Sequence, residues 1–177
     1  MSRADRDRWD ARFAGGGAGE PAPPDALAGR EHLLPAAGRG LDVACGRGTV
    51  AVWLARRGLA VDAVDVSPAG LAAGRALAGG DAVRWIEADL DDGLPVAGPY
   101  DVVVCQRFRA PWLYPAMVDA LGPGGLLVVT VLVATGDADG PFRAAPGELL
   151  AAFGHLDLLH HDETGGQASL VARVPRR

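Results

Sequence analysis

Two glycines separated by one residue, Gly46 and Gly48, lie just after the mostly apolar run of residues 40–44. Glycine has no side chain, so the backbone at these positions can approach a ligand closely. A helix beginning at Thr49 would direct free N–H groups and a partial positive charge to the same place. This spacing is typical of a loop that holds a nucleotide-like ligand in an α/β protein; the alternative is a tight strand-to-helix turn without a ligand.

Two acidic residues favour the ligand over the bare turn. Asp65 ends the second apolar run, where a carboxylate can accept hydrogen bonds from both hydroxyls of a ribose. The alternative role for Asp65 is to cap the helix that begins at Pro68. Asp89 follows the third apolar run. A carboxylate or its neighbouring backbone can meet an adenine amino group there; otherwise Asp89 is a solvated loop acid.

Arginines beside aromatic residues form a second set of candidates, after the fourth and fifth apolar runs. A guanidinium group pairs with planar anions and stacks on aromatic rings. Such residues suit a pocket for a small anionic or aromatic molecule, although each arginine can equally be solvated or pair with a nearby acid. The set comprises Arg107, Phe108, Arg109, Trp112, Asp137, Asp139, Phe142 and Arg143.

Alternating elements must position these residues. Apolar runs of strand length, rich in Val and Leu, lie at residues 40–44, 60–65, 82–86, 101–105 and 126–133. Helical patterns separate most of them, at residues 49–57, from Pro68 after the N-cap Ser67, and at residues 115–121 before the stop signal GPGG. The alternation predicts an α/β fold with a parallel sheet covered on both faces.

The C-terminal part breaks this alternation. Residues 146–153 predict a short helix with Leu149, Leu150 and Phe153 directed inward. Residues 155–161 and 167–174 predict two strands around the sequence ETGG. So short a turn requires an antiparallel pair, and we therefore expect an antiparallel hairpin at the far edge of the sheet.

The N-terminal segment combines charge with two aromatic residues. Residues 1–13 predict a short helix on which Trp9 and Phe13, one turn apart, share a face. The Gly- and Pro-rich residues 14–24 form a hinge or loop. We therefore divide the chain into an arm, residues 1–24, and one domain, residues 25–177. Because the aromatic pair must be buried somewhere, we expect the arm to act as a lid over the ligand; the alternative is that both rings only pin it to the surface.

The composition excludes several functions. The chain has 177 residues, which fits one domain, and its 17 basic residues are all arginines, so a Schiff-base lysine and a P-loop lysine are impossible. The net charge of −5 disfavours nucleic acid. The two cysteines and the histidines lack the spacing of a disulfide framework or a metal site, so we expect no metal.

The expected location is the cytoplasm. The N-terminus is charged and lacks the apolar core of a secretory signal. The longest apolar run is much shorter than the ~20 residues that span a bilayer, so no membrane association is expected. We expect a monomer or a homodimer.

The successive segments LDVACGRG, VDAVD, IEADL, YDVVV and LGPGGLLVV are similar to the ordered motifs of class I S-adenosylmethionine (SAM)-dependent methyltransferases. The resemblance covers residues 39–174. It is greatest for the small bacterial tellurite-resistance methyltransferases, with thiopurine methyltransferase more distant, and RWDARF and GPFRAAPGELLAAF also resemble the bacterial group. It implies a Rossmann-like, seven-stranded, mostly parallel sheet with helices on both faces and a C-terminal antiparallel β-hairpin.

The resemblance also implies roles for individual residues. Those expected to bind SAM are Asp42, Ala44, Gly46 and Gly48 at its methionine and ribose part, Asp65 at the ribose, Val66 against the adenine, Asp89 and Leu90 at the adenine edge, and Cys105 or Gln106 beside the reactive methyl group. The resemblance suggests a small-molecule methyl acceptor, such as a thiol or a metalloid oxyanion. Arg107, Arg109 and Arg143 are expected to meet it because they follow the carboxyl ends of the fourth and fifth strands. The sequence CQRFRAPW replaces the Asn/Asp-Pro-Pro-aromatic motif of many amino-group methyltransferases, which disfavours DNA and protein amides as acceptors.

Two other functions stay open. The residues from Gly46 to Ala51 also match the GxGxxA pattern of dinucleotide dehydrogenases, and Asp65 would suit the ribose of NAD. Against this, Asp42 lies within the first strand, no separate catalytic domain is expected, and a Tyr-x-x-x-Lys pair is impossible without lysine. A non-catalytic SAM-binding module is the second alternative.

Overall fold

The structure, a computed structural model, describes residues 3–15, 19–134, 140 and 142–176. Asp137 and Asp139 lie outside the described residues. The helices are α1 (Arg3–Ala14), α2 (Thr49–Arg56), α3 (Pro68–Arg75), α4 (Tyr114–Asp119) and α5 (Glu148–Phe153). The strands are β1 (Gly38–Val43), β2 (Leu59–Asp65), β3 (Val83–Glu87), β4 (Tyr100–Gln106), β5 (Leu121–Val133), β6 (Arg143–Ala144), β7 (Asp157–Thr164) and β8 (Gln167–Arg173).

The strands form one mixed sheet in the order β3-β2-β1-β4-β5-β8-β7, with the short β6 also paired to β5. β8 is antiparallel to both β5 and β7, whereas the other pairs are parallel. The predicted α/β fold and its C-terminal antiparallel hairpin are confirmed. Chain order reverses beside β1, which pairs with both β2 and β4. Ligands of open α/β sheets bind outside the carboxyl ends of the strands at such a switch point.

The central strands are mostly apolar because both faces of the sheet are buried there. Strand β5 shows this most clearly, since successive side chains point to opposite faces. Leu127, Val129 and Val131 belong to one buried cluster, and Leu126 and Val128 belong to the other. Each face therefore has its own hydrophobic core.

Local signals define most of the element ends. The Ser67 hydroxyl accepts a hydrogen bond from the Gly70 N–H at 3.0 Å, and Pro68 occupies the first turn of α3. The turn between β7 and β8 is formed by Gly165 and Gly166, whose φ angles of 59° and 76° are those of a tight hairpin. These observations confirm the predicted cap and hairpin.

Two details differ from the sequence-based expectation. Helix α4 ends at Asp119, and Leu121 already pairs with Tyr100 as the first residue of β5. In α5, Leu149 and Phe153 are buried one turn apart, but Leu150 is 39% exposed. Leu150 follows Leu149 by about 100° around the helix, so it lies beside the face that contacts the core.

Candidate functional site

A cavity of about 360 Å³ lies outside the carboxyl ends of the central strands. This is the switch point at which ligands of open α/β sheets are expected. Its lining comes from α1, the loop after β1, the end of β2, the end of β4 and β5. The lining residues are Trp9, Arg12, Phe13, Ala44, Cys45, Gly46, Asp65, Gln106, Arg107, Phe108 and Leu132.

The loop after β1 approaches the cavity in a left-handed backbone conformation. Gly46 and Gly48 have φ angles of 54° and 67°, which glycine adopts without strain. Ala44 has a φ of 56°, and Arg107, at the end of β4, has a φ of 58°. Residues with side chains adopt this region at a cost of about 1–2 kcal/mol, and such strain is concentrated at functional sites. Ala44 and Arg107 both line the cavity.

Asp65 ties this loop to the start of α3. Its carboxylate accepts hydrogen bonds from the Gly46 N–H at 2.8 Å and from the Ser67 N–H at 2.9 Å. The side chain is buried, and desolvation by that burial raises the pKa of Asp65. Each carboxylate oxygen can accept a second hydrogen bond, and Asp65 lines the cavity. The predicted ribose contact and the bonds to the loop are therefore compatible.

Asp42 is a buried carboxylate within β1. Only 2% of the residue is exposed, and its Oδ2 atom has no hydrogen-bond partner among the described residues. Burial, with a smaller contribution from the charge of Asp65, raises the pKa of Asp42 to about 8. A buried acceptor of this kind is costly unless a partner satisfies it.

Gly48 has a packing role that the sequence did not reveal. A Cβ atom at Gly48 or Gly74 would overlap the indole ring of Trp85. The indole fills the space between these glycines, and its Nε1–H donates a hydrogen bond to the Gly80 carbonyl at 2.8 Å. Gly48 does not line the cavity in the described structure.

The residues expected around the adenine lie away from the cavity lining. Val66 and Leu90 are buried. The Asp89 carboxylate accepts a hydrogen bond from the Asp91 N–H at 2.9 Å and so caps its own turn. The Trp112 Nε1–H donates to the Leu90 carbonyl at 3.2 Å.

The two candidates at the end of β4 point to different places. Gln106 lines the cavity, and its Oε1 atom accepts a hydrogen bond from the Asp25 N–H at 2.9 Å. Cys105 is 1% exposed and belongs to the core, with its Sγ atom 3.4 Å from the Phe108 carbonyl oxygen. Burial raises the pKa of the Cys105 thiol. Neighbouring residues of a strand face opposite sides, so only Gln106 reaches the cavity.

Cys45 lines the cavity but is not a reactive thiolate. Burial, together with the charges of Asp42 and Asp65, raises the pKa of its thiol well above the ordinary value. Thiolates, not thiols, are the nucleophilic form. Both cysteines are free.

The three predicted acceptor arginines have different surroundings. Arg107 lines the cavity, and its Nη2 atom pairs with the Asp25 carboxylate at 2.9 Å. Arg109 makes a two-pronged ion pair with Glu148, with N···O distances of 2.9 and 2.7 Å. The Nη1 atom of Arg143 donates to the Val133 carbonyl at 2.9 Å. Arg143 lines neither this cavity nor the second cavity that adjoins it.

A second cavity of about 320 Å³ adjoins the first. Four arginines line it, two of them, Arg8 and Arg12, supplied by α1 and not singled out from the sequence. In the sequence, Arg8 and Arg12 could have been noticed because they lie one helical turn apart on either side of Trp9. Only the position of α1 in the structure shows that both face the site. The lining residues are Arg8, Trp9, Arg12, Arg107, Phe108, Arg109, Leu132 and Phe142, five of which also line the first cavity.

Helix α1 lies across the glycine loop and α3. The Phe13 ring contacts Gly46 and Gly70 so closely that a Cβ atom on either glycine would lie 3.2 or 3.0 Å from it. The Trp9 and Phe13 rings stack, with their centroids 5.6 Å apart. The predicted helix with its aromatic pair on one face is therefore present, and the pair is directed to the cavity.

Polar contacts hold this position of α1. The Asp10 carboxylate accepts hydrogen bonds from the Ser67 hydroxyl and, at 3.3 Å, from the Ala69 N–H. The Nη2 atom of Arg47, within the glycine loop, donates to the carbonyls of Arg12 and Phe13 at 3.1 and 3.3 Å. The loop expected to hold the ligand thus also binds the end of α1.

Residues 41–125 match the family model described as a methyltransferase domain. This range contains the glycine loop, Asp42, Asp65, Asp89 and the end of β4. The match confirms the predicted resemblance to methyltransferases over this range. No curated protein matches the chain in sequence.

Solved structures show the same fold at low sequence identity. A SAM-dependent methyltransferase from Mesorhizobium loti is 19% identical, with a TM-score of 0.67 over 82% of this chain and 96% of that one. TehB from Haemophilus influenzae is 17% identical, with a TM-score of 0.71 over 96% of this chain and 66% of that one. The [4+2]-cyclase SpnF is 18% identical, with a TM-score of 0.68 over 85% of this chain and 79% of that one.

Among the described residues, no helix is long and apolar enough to cross a bilayer.

Proposed function

We propose that this chain, in which residues 41–125 match a methyltransferase domain, transfers a methyl group from SAM to a small-molecule acceptor. The observation that carries the proposal is the pair of adjoining cavities at the switch point of the sheet. The first is bordered by the glycine loop and Asp65, and the second continues from it past Arg107 and Phe108. A two-substrate transfer needs this arrangement, because both molecules must be held side by side.

The residues around the first cavity fit SAM chemically. Asp42 does not itself line this cavity, but it lies in β1 close in sequence to the lining residue Ala44. Its buried Oδ2 atom lacks a partner among the described residues, and an ammonium group such as that of the methionine part of SAM would satisfy it. We propose that Ala44 and Gly46 line the methionine and ribose part, that Asp65 holds the ribose, and that Gln106 borders the methyl group. Val66, Asp89 and Leu90 are retained as the proposed adenine contacts.

The transfer needs positioning more than acid–base chemistry. SAM supplies a methyl group on a sulfonium, which is a good leaving group, so orientation can provide up to roughly 7–11 kcal/mol of the barrier reduction. Cys45 is kept protonated by its raised pKa, and Asp65, which accepts hydrogen bonds from Gly46 and Ser67, is assigned to the ribose. The described cavity lining therefore offers little general-base capacity, which favours an acceptor atom that is already anionic.

We also propose that residues 1–24 act as a lid. Trp9 and Phe13 line the first cavity, and closure over a reaction site excludes water. Aromatic faces attract a sulfonium cation by about 0.5–2 kcal/mol. Pinning of the arm to the surface would use the same two rings, and deletion of residues 1–13 separates the two roles.

Calorimetry with SAM, S-adenosylhomocysteine and NAD tests the cofactor. We expect the first two to bind and NAD not to bind; NAD binding without SAM binding would overturn the proposal. A labelled-methyl assay with thiols, selenite, tellurite, phenols and carboxylates then tests transfer. Tight SAM binding with transfer to none of these acceptors would instead support a non-catalytic SAM-binding module.

A further inference from the structure

We propose that Arg12 and Arg107, supported by Arg8, form the recognition site for a planar organic carboxylate, and that one carboxylate oxygen accepts the methyl group. The inference rests on the proposed methyl transfer and adds the acceptor class. Its basis is the chemistry of the second cavity, to whose lining α1 contributes Arg8, Trp9 and Arg12.

The charge of this cavity is opposite to that of the whole chain. The chain carries a net charge of −5, yet the described lining of the second cavity contains four arginines and no carboxylate. Two of the four are paired with acids outside that lining, Arg107 with Asp25 and Arg109 with Glu148. Arg12 and Arg107 line both cavities and therefore lie where the acceptor and the cofactor would meet. An ammonium-bearing acceptor would be repelled here, and an anion would be attracted.

The two junction arginines can still donate hydrogen bonds to a ligand. The Arg12 guanidinium lies over the Trp9 ring, with its central carbon 5.2 Å from the ring centroid, and a contact through the guanidinium face does not use the N–H groups. Arg107 pairs with Asp25 through Nη2, one of its nitrogen atoms, and its side chain is 60% exposed. A guanidinium carries five N–H donors that match the two oxygens of a carboxylate.

The size and the lining of the second cavity indicate that the acceptor is a planar organic molecule. A volume of about 320 Å³ is roughly ten times the ~30 Å³ that a water molecule occupies in the liquid, whereas an oxyanion such as tellurite has four heavy atoms. Trp9, Phe108, Phe142 and Leu132 supply apolar walls, and the Arg8 guanidinium lies 4.9 Å from the Phe142 ring centroid. The acceptor is therefore expected to place a flat apolar group between these walls.

A carboxylate also satisfies the proton balance. Thiols and phenols must lose a proton before attack, whereas a carboxylate is already ionised at neutral pH. In the proposed step a carboxylate oxygen forms a bond to the methyl carbon as the bond from that carbon to the sulfonium sulfur breaks. The products are a neutral methyl ester and S-adenosylhomocysteine, and no proton, oxidant or reductant is required.

The test uses the full chain with methyl-labelled SAM and planar probes of similar size: benzoate, cinnamate, indole-3-acetate, thiophenol, phenol and benzylamine, with selenite as a small oxyanion. Methyl esters are recognised because mild base releases their label as methanol, which thioethers, phenol ethers and methylamines do not do. We expect base-labile product from at least one carboxylate and none from benzylamine. Preferred methylation of thiophenol, phenol, benzylamine or selenite would overturn the carboxylate assignment.

Variants then test the residues with the carboxylate that reacts fastest. We expect Arg12→Gln and Arg107→Gln each to lower kcat/KM for that carboxylate by about tenfold to a hundredfold, while the dissociation constant of S-adenosylhomocysteine changes less than threefold. Arg57→Gln is the matched control, because Arg57 also stacks on an indole, that of Trp53, but lines neither cavity. Full activity in both variants would place the carboxylate elsewhere.

SAM binding, measured apart from methyl transfer, distinguishes a failure of the carboxylate assignment from a failure of the proposed methyl transfer. If SAM binds and none of the carboxylates is methylated, the acceptor assignment fails while the cofactor assignment stands. If SAM does not bind, the proposed methyl transfer itself fails.

Discussion

At the scale of single residues, Asp65 shows how a binding residue also holds its own site together. The sequence suggested a ribose contact or a helix cap, and the carboxylate in fact accepts hydrogen bonds from Gly46 and Ser67. Asp65→Ala would leave two N–H groups without their acceptor, at a cost of about 1–3 kcal/mol for each one that stays buried. We expect lower stability in urea unfolding and about tenfold to a thousandfold weaker SAM binding by calorimetry. Asp81→Ala, at an exposed acid, is the control; unchanged SAM affinity in Asp65→Ala would restrict Asp65 to the structural role.

Asp42 predicts a pH dependence whose sign follows from its burial. Its pKa is raised from 3.8 to about 8, so the folded chain holds a proton that the unfolded chain has released over this range. The contribution of Asp42 to stability is therefore present at low pH and lost as the pH rises through about 8. Asp42→Asn should flatten the pH dependence of the free energy of unfolding over this interval.

The same group couples cofactor binding to a proton. An ammonium group beside Asp42 would favour the ionised carboxylate, so SAM binding below pH about 8 should release a proton and strengthen as the pH rises. Calorimetry in buffers with different ionisation enthalpies measures this release. Asp42→Asn should abolish it; an equal release in the variant would assign the proton to another group.

At the scale of secondary-structure elements, the sequence predicts those features that depend on local patterns of residue type. The apolar runs predicted the central strands to within a few residues, because a strand buried on both faces is apolar at most positions. The Ser67 cap and the Gly165-Gly166 turn were likewise readable from residue type. The role of Gly48 was not readable, because its neighbour Trp85 comes from another strand. Arg8 and Arg12 were missed for the same reason, since only the docking of α1 brings them to the cavity.

The position of helix α1 predicts what its removal would do. None of the described core residues lies in α1, so deleting residues 1–13 should leave a folded domain. As a lid, the arm would be required for full SAM affinity or for transfer, and SAM would protect it from trypsin cleavage after Arg8 and Arg12. Unaltered kinetics after deletion would leave only the surface-pinning role.

A point substitution tests the same element without removing it. Arg47 donates to the carbonyls of Arg12 and Phe13 at the end of α1, and the shorter side chain in Arg47→Gln would lose the guanidinium that makes these bonds. We expect faster trypsin cleavage of the arm in Arg47→Gln than in the Arg57→Gln control. Equal cleavage rates would mean that Asp10 and the two aromatic rings suffice to hold the helix.

At the scale of the whole molecule, the switch point joins parts of the chain that are distant in sequence. The first cavity is bordered by α1, the loop after β1, the ends of β2 and β4, and Leu132 of β5, so a bound cofactor would contact all five parts. The last two strands of the sheet, β8 and β7, do not contribute to its described lining. Binding energy gained at this point therefore stabilises the arrangement of the first half of the sheet and the arm together.

This arrangement predicts a specific thermal response. A ligand that binds only the folded state at a concentration of 100 times its dissociation constant adds about 2.7 kcal/mol of stability. For a chain of this length, that gain corresponds to a rise in Tm of about 5–10 °C. We expect S-adenosylhomocysteine to produce such a shift and NAD to produce none, in scanning calorimetry of the full chain. The variant lacking residues 1–13 should show a smaller shift at the same ligand concentration, because the contacts of Trp9 and Phe13 at the cavity are gone. An equal shift in both proteins would show that the cofactor binds the sheet alone and that the arm serves only the acceptor side.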